Sequence, residues 1–484
     1  MSRKSGGIVL VSNRLPISFE FEGKELKPSR SSGGLVTALE PLLKEHGGVW
    51  VGSAGTRRDP RIVNYLANDS RDDAHRYEPV FLTPEEQVNF YEGFSNEVIW
   101  PLFHDLQSRC NFNPIYWKFY QRVNQKFADS VSRVARPNDV IWVNDYQLMQ
   151  VAASLRAGGS KARLAFFLHI PFPPPDIFAK LPWRSVILEG LLEHDLLGLQ
   201  TQRDQRNLIA CLRSFLPGAQ ISTVSGGNDA RVVTYHARQT LVRFFPISID
   251  FQDFSSAASS REVEEKLREL RRQTDHTYII LGVDRLDYTK GIPERLRAYA
   301  TFLRQYPEIC GKTTFVQIVV PSRETIPGYR RLKHEIEQTV ASINGEFAQP
   351  GWVPINYIHR AVPRPELLAL YRCAQVALIT PLKDGMNLVS KEYCASRIGD
   401  DGVLILSEFA GAAAEFGDHA ILVNPYDQEG VAAALKQALT MPAFDQRRRM
   451  IRIREHVRHF DIHLWLKTFM SELTAERKVA GRTA

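Results

Sequence analysis

Short, evenly apolar runs alternate with longer stretches of helical period along the whole chain, and this alternation leaves few folds open. The flat runs in the first half are Ile8–Val11, Val49–Val51, Val140–Val143, Leu164–Leu168 and Leu196–Leu199. In the second half they are Tyr278–Val283, Thr314–Val320, Val376–Ile379, Val403–Leu406 and Ile421–Val423. A strand with no polar alternation has no face for water and belongs in a parallel sheet covered on both sides. Between these runs, Pro84–Phe103, Pro114–Val134, Arg261–Thr274, Pro327–Ile343 and Gln428–Leu439 carry helical period. Strand and helix in turn build doubly wound α/β sheets.

At 484 residues the chain is too long for one ordinary core, so two Rossmann-like domains are expected. The segment Phe245–Phe251 leads into a polar Ser/Ala stretch, Ser255–Ser260, the candidate linker. The boundary is placed near residue 250, giving an N-terminal domain 1–250 and a C-terminal domain 251–456. A last helix, from about 457 to 484, is expected to return to the first domain. Ligands of such sheets sit at the carboxyl ends of the strands, and two facing sheets enclose a cleft.

Composition excludes several classes. Hydrophobic residues make up 44% and charged residues 24%, as in a globular protein with sizeable cores. The 61 Lys and Arg exceed the 54 Asp and Glu by only seven, with no stripe of cations and exposed aromatics. No nucleic-acid partner is implied; a mild positive field suits small phosphorylated anions. The five cysteines, Cys110, Cys211, Cys310, Cys373 and Cys394, form no CxxC pair and imply neither a disulfide framework nor a zinc knuckle. Arg3 and Lys4 precede an apolar run too short for a signal peptide, and no stretch reaches the length of a membrane span. The expectation is a cytoplasmic protein without a membrane partner.

Three segments carry chemistry. In VDRLDYTKGI (283–292), Arg285 and Lys290 follow a buried strand, where a planar fork and a point charge can grip a diphosphate and neutralise it as it leaves. Spacing alone leaves open a surface salt-bridge cluster with Asp284 and Asp287. In LKDGMNLVSKE (382–392), Asp384-Gly385 makes a tight turn, Met386 follows, and a helix starts near Asn387 and Leu388. Its unpaired N–H groups suit donor phosphates. Asp384 can accept from sugar hydroxyls and Glu392 from a ribose, although an ordinary turn and cap would read the same. Arg14 lies just past the first strand, and Gly33-Gly34 lets backbone approach a phosphate. No GxGxxG follows that strand, which argues against a nicotinamide or flavin cofactor.

Taken in order, VSNRLP, SSGGLV, FSNEVIWPLFH, NDYQL, FFLHIPFP, VDRLDYTKGI, VPSR, PLKDGMNLVSKEY and LSEFAGAA resemble the trehalose-6-phosphate synthase family over about residues 7–467. These are retaining glycosyltransferases of the GT-B fold, two Rossmann-like domains facing each other across a cleft. The resemblance implies transfer of glucose from a nucleoside diphosphate glucose, UDP-glucose foremost with ADP and GDP donors left open, to glucose 6-phosphate, giving trehalose 6-phosphate; with no DxD motif, no metal or cofactor is expected. It implies that Arg285 and Lys290 hold the donor diphosphate with the backbone of Gly34 and of 385–388. Asp384 would hold the transferred glucose, Glu392 the ribose, and His169 the sugar near the reacting centre. Arg14, Tyr91, Trp100 and Arg323 would bind the acceptor sugar phosphate, with Asp145 beside Trp100. Nothing resembling the family's appended phosphatase domain follows, so a separate phosphatase is expected; the oligomeric state, a homo-oligomer included, stays open.

Without the family, Trp100 and Tyr91 read as core aromatics, His169 as a satisfied buried histidine and Glu392 as a solvated helix carboxylate. Three stretches depart from the family pattern. Asn144 and Gln147 flank Asp145 and Tyr146 where two histidines are usual; Pro174–Trp183 lacks a small polar pair and an arginine; Gln200–Gln205 lacks an aromatic. All fall near the expected acceptor pocket. They leave two alternatives, another phosphorylated acceptor such as glycerol 3-phosphate and a non-catalytic sugar-phosphate sensor on the same fold. His456, His459 and His463 suggest a metal site less well than a basic amphipathic helix packing Trp465 and Leu466.

Overall fold

The computed structural model describes residues 7–475 apart from 23–24, 31–38, 41–42, 44–46, 70–74, 225–228, 237 and 275–276. The chain divides into two compact units, Met1–Pro246 with Trp465–Ala484, and Ile247–Leu464.

The strands of the first unit are β1 (Ile8–Arg14), β2 (Ile17–Glu22), β3 (Glu25–Arg30), β4 (Gly48–Ser53), β5 (His75–Val80), β6 (Val140–Asn144), β7 (Arg163–Phe167), β8 (Leu196–Leu199), β9 (Gln220–Thr223), β10 (Arg231–Tyr235) and β11 (Arg238–Phe244). Nine of them form one sheet in the order β5-β4-β1-β6-β7-β8-β11-β10-β9. Pairing is parallel from β5 to β11, and β9 and β10 extend it antiparallel. β2 and β3 form a separate hairpin. The second unit has β12 (Tyr278–Arg285), β13 (Thr313–Val320), β14 (Ile355–Ile358), β15 (Val376–Ile379), β16 (Val403–Ser407) and β17 (Ile421–Val423). They form one wholly parallel sheet in the order β14-β13-β12-β15-β16-β17.

Every flat apolar run is a strand, and the central ones are buried along almost their whole length. Of the strands without such a run, β5, β9 and β14 lie at sheet edges, where one side meets solvent and the apolar signal thins, whereas β10 and β11 lie inside the sheet with polar residues interrupting their apolar ones.

The Ser/Ala stretch taken for a linker is helical, and this corrects the sequence reading. Asp250 caps a helix over Phe251–Ala258, accepting from the Asp253 amide at 2.9 Å, and Ser260 caps the next, Arg261–Gln273. Two capping residues override a loop-like composition. The Pro84–Phe103 segment is helical, but its middle, Gln87–Ile99, winds as a π-helix. Thr83 and Glu86 open it with a capping box. At the other end of the chain, Trp465 and Phe469 return to the first unit. The Phe469 ring stacks on Trp142 at 4.3 Å, and Trp465 donates its Nε1–H to the Phe245 carbonyl at 3.1 Å. No described helix is long and apolar enough to cross a membrane.

Candidate active site

In the second unit, β12 ends with Asp284 buried and Arg285 exposed. Asp284 does not pair with Arg285. It meets Arg295, a fully buried guanidinium from the helix Ile292–Gln305, which also donates to Thr380 Oγ1 at 2.9 Å and Gln317 Oε1 at 3.1 Å. Arg295 Nη2 reaches the Lys290 carbonyl at 3.1 Å, so one buried cation fixes the turn that carries Lys290. Asp287 caps the 3-10 turn Tyr288–Lys290 through the Thr289 amide at 3.0 Å. Gly291 follows at φ +62°, and a Cβ there would lie 2.5 Å from the Thr380 carbonyl oxygen.

The turn after β15 packs on that one. Leu382 N–H donates to the Thr289 carbonyl at 2.8 Å, and Ala412 N–H to the Met386 carbonyl at 2.9 Å. Gly385 is held equally closely, since a Cβ on Gly411 would fall 1.9 Å from its carbonyl oxygen. The two turns place Lys290 Nζ 2.5 Å from Asp384 Oδ2, and Asn387 Nδ2 donates to the same oxygen at 3.1 Å. Asn387, at φ +74°, caps the helix Leu388–Ser396 by accepting from the Ser390 amide at 3.1 Å. The partial positive charge of that helix start therefore lies beside the Lys290–Asp384 pair.

Glu392 is half-buried on the same helix and accepts from Tyr371 OH at 3.0 Å. Burial raises its pKa against the opposing effects of that bond and of Arg364. Arg323, at φ +53°, lies in this unit as well, donating to Tyr329 OH at 2.8 Å and facing Asp287 Oδ2 at 3.5 Å. Burial acts to raise the Asp287 pKa, but Arg323, Arg285 and Lys290 outweigh it and hold the carboxyl below the usual range.

The first unit gathers the other candidates at the carboxyl ends of β1, β6 and β7. Arg14 closes β1 with its guanidinium 5.5 Å from the centre of the Tyr91 ring, on the π-helical stretch. Trp100 is buried, its ring 4.3 Å from His104 and 5.6 Å from Tyr146. Asp145 follows β6 at φ +74° and ψ +166°. Its Oδ1 accepts from the His169 amide at 3.2 Å. Burial pushes the His169 imidazole down to about 3, so it is neutral at ordinary pH. Gly34 lies outside the described residues.

The departures from the family pattern have structural partners. Asn144 is buried with its Oδ1 3.3 Å from His169 Nε2. Gln147 is buried, and its carbonyl accepts from Asn124 at 3.0 Å. Phe178 and Leu181 fill core, and Trp183 stacks on Trp117 at 5.4 Å. Asp204 forms a capping box with Thr201 and accepts from the Phe172 amide at 3.0 Å. The three C-terminal histidines diverge: His456 bonds Glu415 at 2.9 Å, His463 bonds Asp250 at 3.2 Å, and His459 packs on Phe460. Among the described residues, no group of three or more His, Cys, Asp or Glu side chains could hold a metal ion.

Arg295, Tyr371 and Lys391 went unremarked in the sequence. Lys391 is fully buried and bonds Glu415 and the Ile247 carbonyl. A cation on a helix reads as solvated unless its partner is known, and each partner here is distant in sequence.

Two parallel-sheet units, with a basic cluster on the strand-end turns of the second, define the two-Rossmann-domain class of glycosyltransferases. The description Glycosyltransferase family 20 matches residues 6–475, and the chain belongs to that family. It is 42% identical to trehalose-6-phosphate synthase of Mycobacterium marinum, over 97% of this chain and 94% of that protein. The E. coli trehalose-6-phosphate structure bound with UDP-2-fluoro glucose superposes with a TM-score of 0.87 at 34% identity, covering 98% of this chain and all of that one. The UDP-forming synthase of Burkholderia xenovorans in complex with glucose-6-phosphate gives 0.86 at 33% identity, covering 97% and 100%.

Proposed function

We propose that the chain transfers glucose from UDP-glucose to glucose 6-phosphate with retention, releasing UDP and trehalose 6-phosphate. The observation that carries this reading is the cluster of Lys290, Asp384 and Asn387, with Nζ and Nδ2 converging on one carboxylate oxygen at a helix start. It offers a cation for the diphosphate, a carboxylate for sugar hydroxyls and backbone amides for phosphate oxygens on two adjoining strand-end turns. The named relatives bind a UDP-sugar analogue and glucose-6-phosphate, in support of the same two substrates.

The acceptor hydroxyl approaches the anomeric carbon on the face from which the diphosphate departs. The new C–O bond forms as the old one breaks, and the hydroxyl proton passes to an oxygen of the leaving diphosphate. Lys290 and Arg285 stabilise the charge that gathers there. Asp384 and His169 hold the transferred glucose, Glu392 the ribose, and the backbone of Gly34, Gly385, Met386, Asn387 and Leu388 the phosphates. Arg14, Tyr91, Trp100, Asp145 and Arg323 hold the sugar phosphate. The phosphate ester is untouched, so its removal is a separate hydrolytic reaction.

The purified chain should release UDP only when UDP-glucose and glucose 6-phosphate are both present, with a phosphorylated disaccharide as co-product. Faster release with glycerol 3-phosphate, or none with any phosphorylated acceptor, would overturn the assignment.

A further inference from the structure

Asn144 stands at the end of β6, opposite Phe167 in the register with β7, and His169 lies two residues past β7. Three bonds tie these strand ends together. Asp145 N–H donates to the Phe167 carbonyl at 2.8 Å, His169 N–H to Asp145 Oδ1 at 3.2 Å, and the third joins His169 Nε2 to Asn144 Oδ1 at 3.3 Å. The ring also leans on Phe167, 4.6 Å between centroids, and Gln200 donates to the His169 carbonyl at 3.4 Å. Backbone and ring of His169 are thus held from both neighbouring strands.

The direction of the third bond follows from the other end of the amide. Asn144 Nδ2 faces two carbonyl oxygens, Val11 at 3.4 Å and Trp142 at 3.4 Å. An amide turned the other way would set its oxygen against both of them and its NH2 against the imidazole. The NH2 group is a donor and the oxygen an acceptor, so Oδ1 must face the ring and the ring nitrogen must donate. A neutral imidazole has one proton to give. With that proton on Nε2, Nδ1 is left as an acceptor.

We propose that Asn144 is a positioning residue that fixes His169 as the neutral Nε2–H tautomer. A donor group, such as a sugar hydroxyl, can then bond only to Nδ1. A histidine at position 144 could present either a donor or an acceptor to His169, whereas the amide oxygen can only accept. The substitution therefore removes a choice of tautomer from the site. The consequence for turnover rests on the transfer proposed above, in which His169 holds the glucose; the tautomer itself does not.

The test is long-range 15N–1H correlation on the full chain labelled at histidine nitrogen, with His169 assigned by its loss in His169→Gln. The wild type should show the Nε2–H pattern near pH 7. Asn144→Leu should lose it, and Asn144→Asp, which keeps an accepting oxygen, should restore a proton on Nε2. In turnover, Asn144→Leu should lower kcat about tenfold, the worth of one hydrogen bond near 1.4 kcal/mol, with a smaller change in KM. An Nδ1–H tautomer in the wild type, or an unchanged pattern in Asn144→Leu, overturns the inference. Expected tautomers in a wild-type chain that does not convert the two substrates would overturn the functional reading and leave the inference standing.

Discussion

Each unit carries candidate residues on a turn after a parallel strand, and in each a polar residue there takes a backbone angle normally left to glycine. Asp145 after β6 and Asn387 after β15 share φ +74°. They differ in ψ, +166° for Asp145 and +84° for Asn387. Asn387 lies toward the left-handed region that asparagine visits at little cost, whereas Asp145 lies in one that almost only glycine occupies. In each case the side chain has work that glycine could not do. Asp145 accepts from the His169 amide; Asn387 caps a helix and steadies Asp384. The surroundings differ too. Asn387 sits beside the part-buried ion pair of Lys290 and Asp384, and Asp145 near the aromatic rings of Trp100, Tyr146 and Phe167.

The charged surroundings of the second unit give the largest expected effects. Arg295→Met leaves Asp284 buried without its cation and also frees the Lys290 carbonyl. A loss of about 3–5 kcal/mol is expected, read as a lower urea midpoint, with transfer failing in the fraction that stays folded. A stability change below about 1 kcal/mol would show that the ion pair does not hold this turn. Lys290→Ala should lower kcat on the order of 10²–10³ with little change in stability, by loss of a cation at the departing diphosphate. Normal turnover in that variant would remove Lys290 from the reaction.

Acid should separate the two units. Burial depresses the pKa of His169 and of the fully buried His194 in the first unit, each to about 3. Unfolded histidine titrates near 6.5, so below that pH the unfolded chain takes up protons that the folded unit refuses. Stability from these groups is whole above about 6.5 and falls by at most about 1.4 kcal/mol per pH unit for each as the pH drops toward 3. In the second unit, Asp287 and Glu415 have lowered pKa values, because their cationic neighbours outweigh the burial that would raise them. Their contribution is present above the unfolded carboxylate range and is lost only as the pH falls through the lowered folded values. Between about pH 6 and 5 the first unit should weaken alone. Hydrogen exchange, corrected for its intrinsic pH dependence, should show less protection in β6–β8 and none lost in β12 and β15; equal losses would defeat the comparison.

The same contrast governs what the sequence discloses. Central strands announce themselves by flat apolar runs, so both sheets were legible, along with the strand-end motifs holding Arg285, Lys290 and Asp384. The edge strands β5, β9 and β14 lack such runs and were missed, as were the interior strands β10 and β11, but the edge strand β17 carries one. The helix Phe251–Ala258 hid in a linker-like composition, because capping by Asp250 depends on geometry rather than on apolar period. Arg295 was illegible because its partners Asp284, Gln317 and Thr380 lie on three different strands or their ends, and only the fold assembles them. The link from Asn144 to His169 was hidden in the same way. Residue type marked Asn144 as unusual, but its register opposite Phe167 puts its amide against the ring.

The smallest effects probe the two turns directly, and their signs should be opposite. Asn387→Gly keeps a backbone that asparagine already tolerates and loses a cap, for which glycine is only a few tenths of a kcal/mol worse. It should be slightly destabilised. Asp145→Gly gives up the bond to the His169 amide, a hydrogen bond of about 0.5–1.5 kcal/mol, but relieves backbone strain of about 1–3 kcal/mol. It should be neutral or stabilised by about 1 kcal/mol while losing transfer activity, the trade expected where strain serves a site. Paired urea titrations would decide it. A stabilised Asn387→Gly together with a destabilised Asp145→Gly would mean that the hydrogen bonds, not the backbone angles, set the energy of both turns.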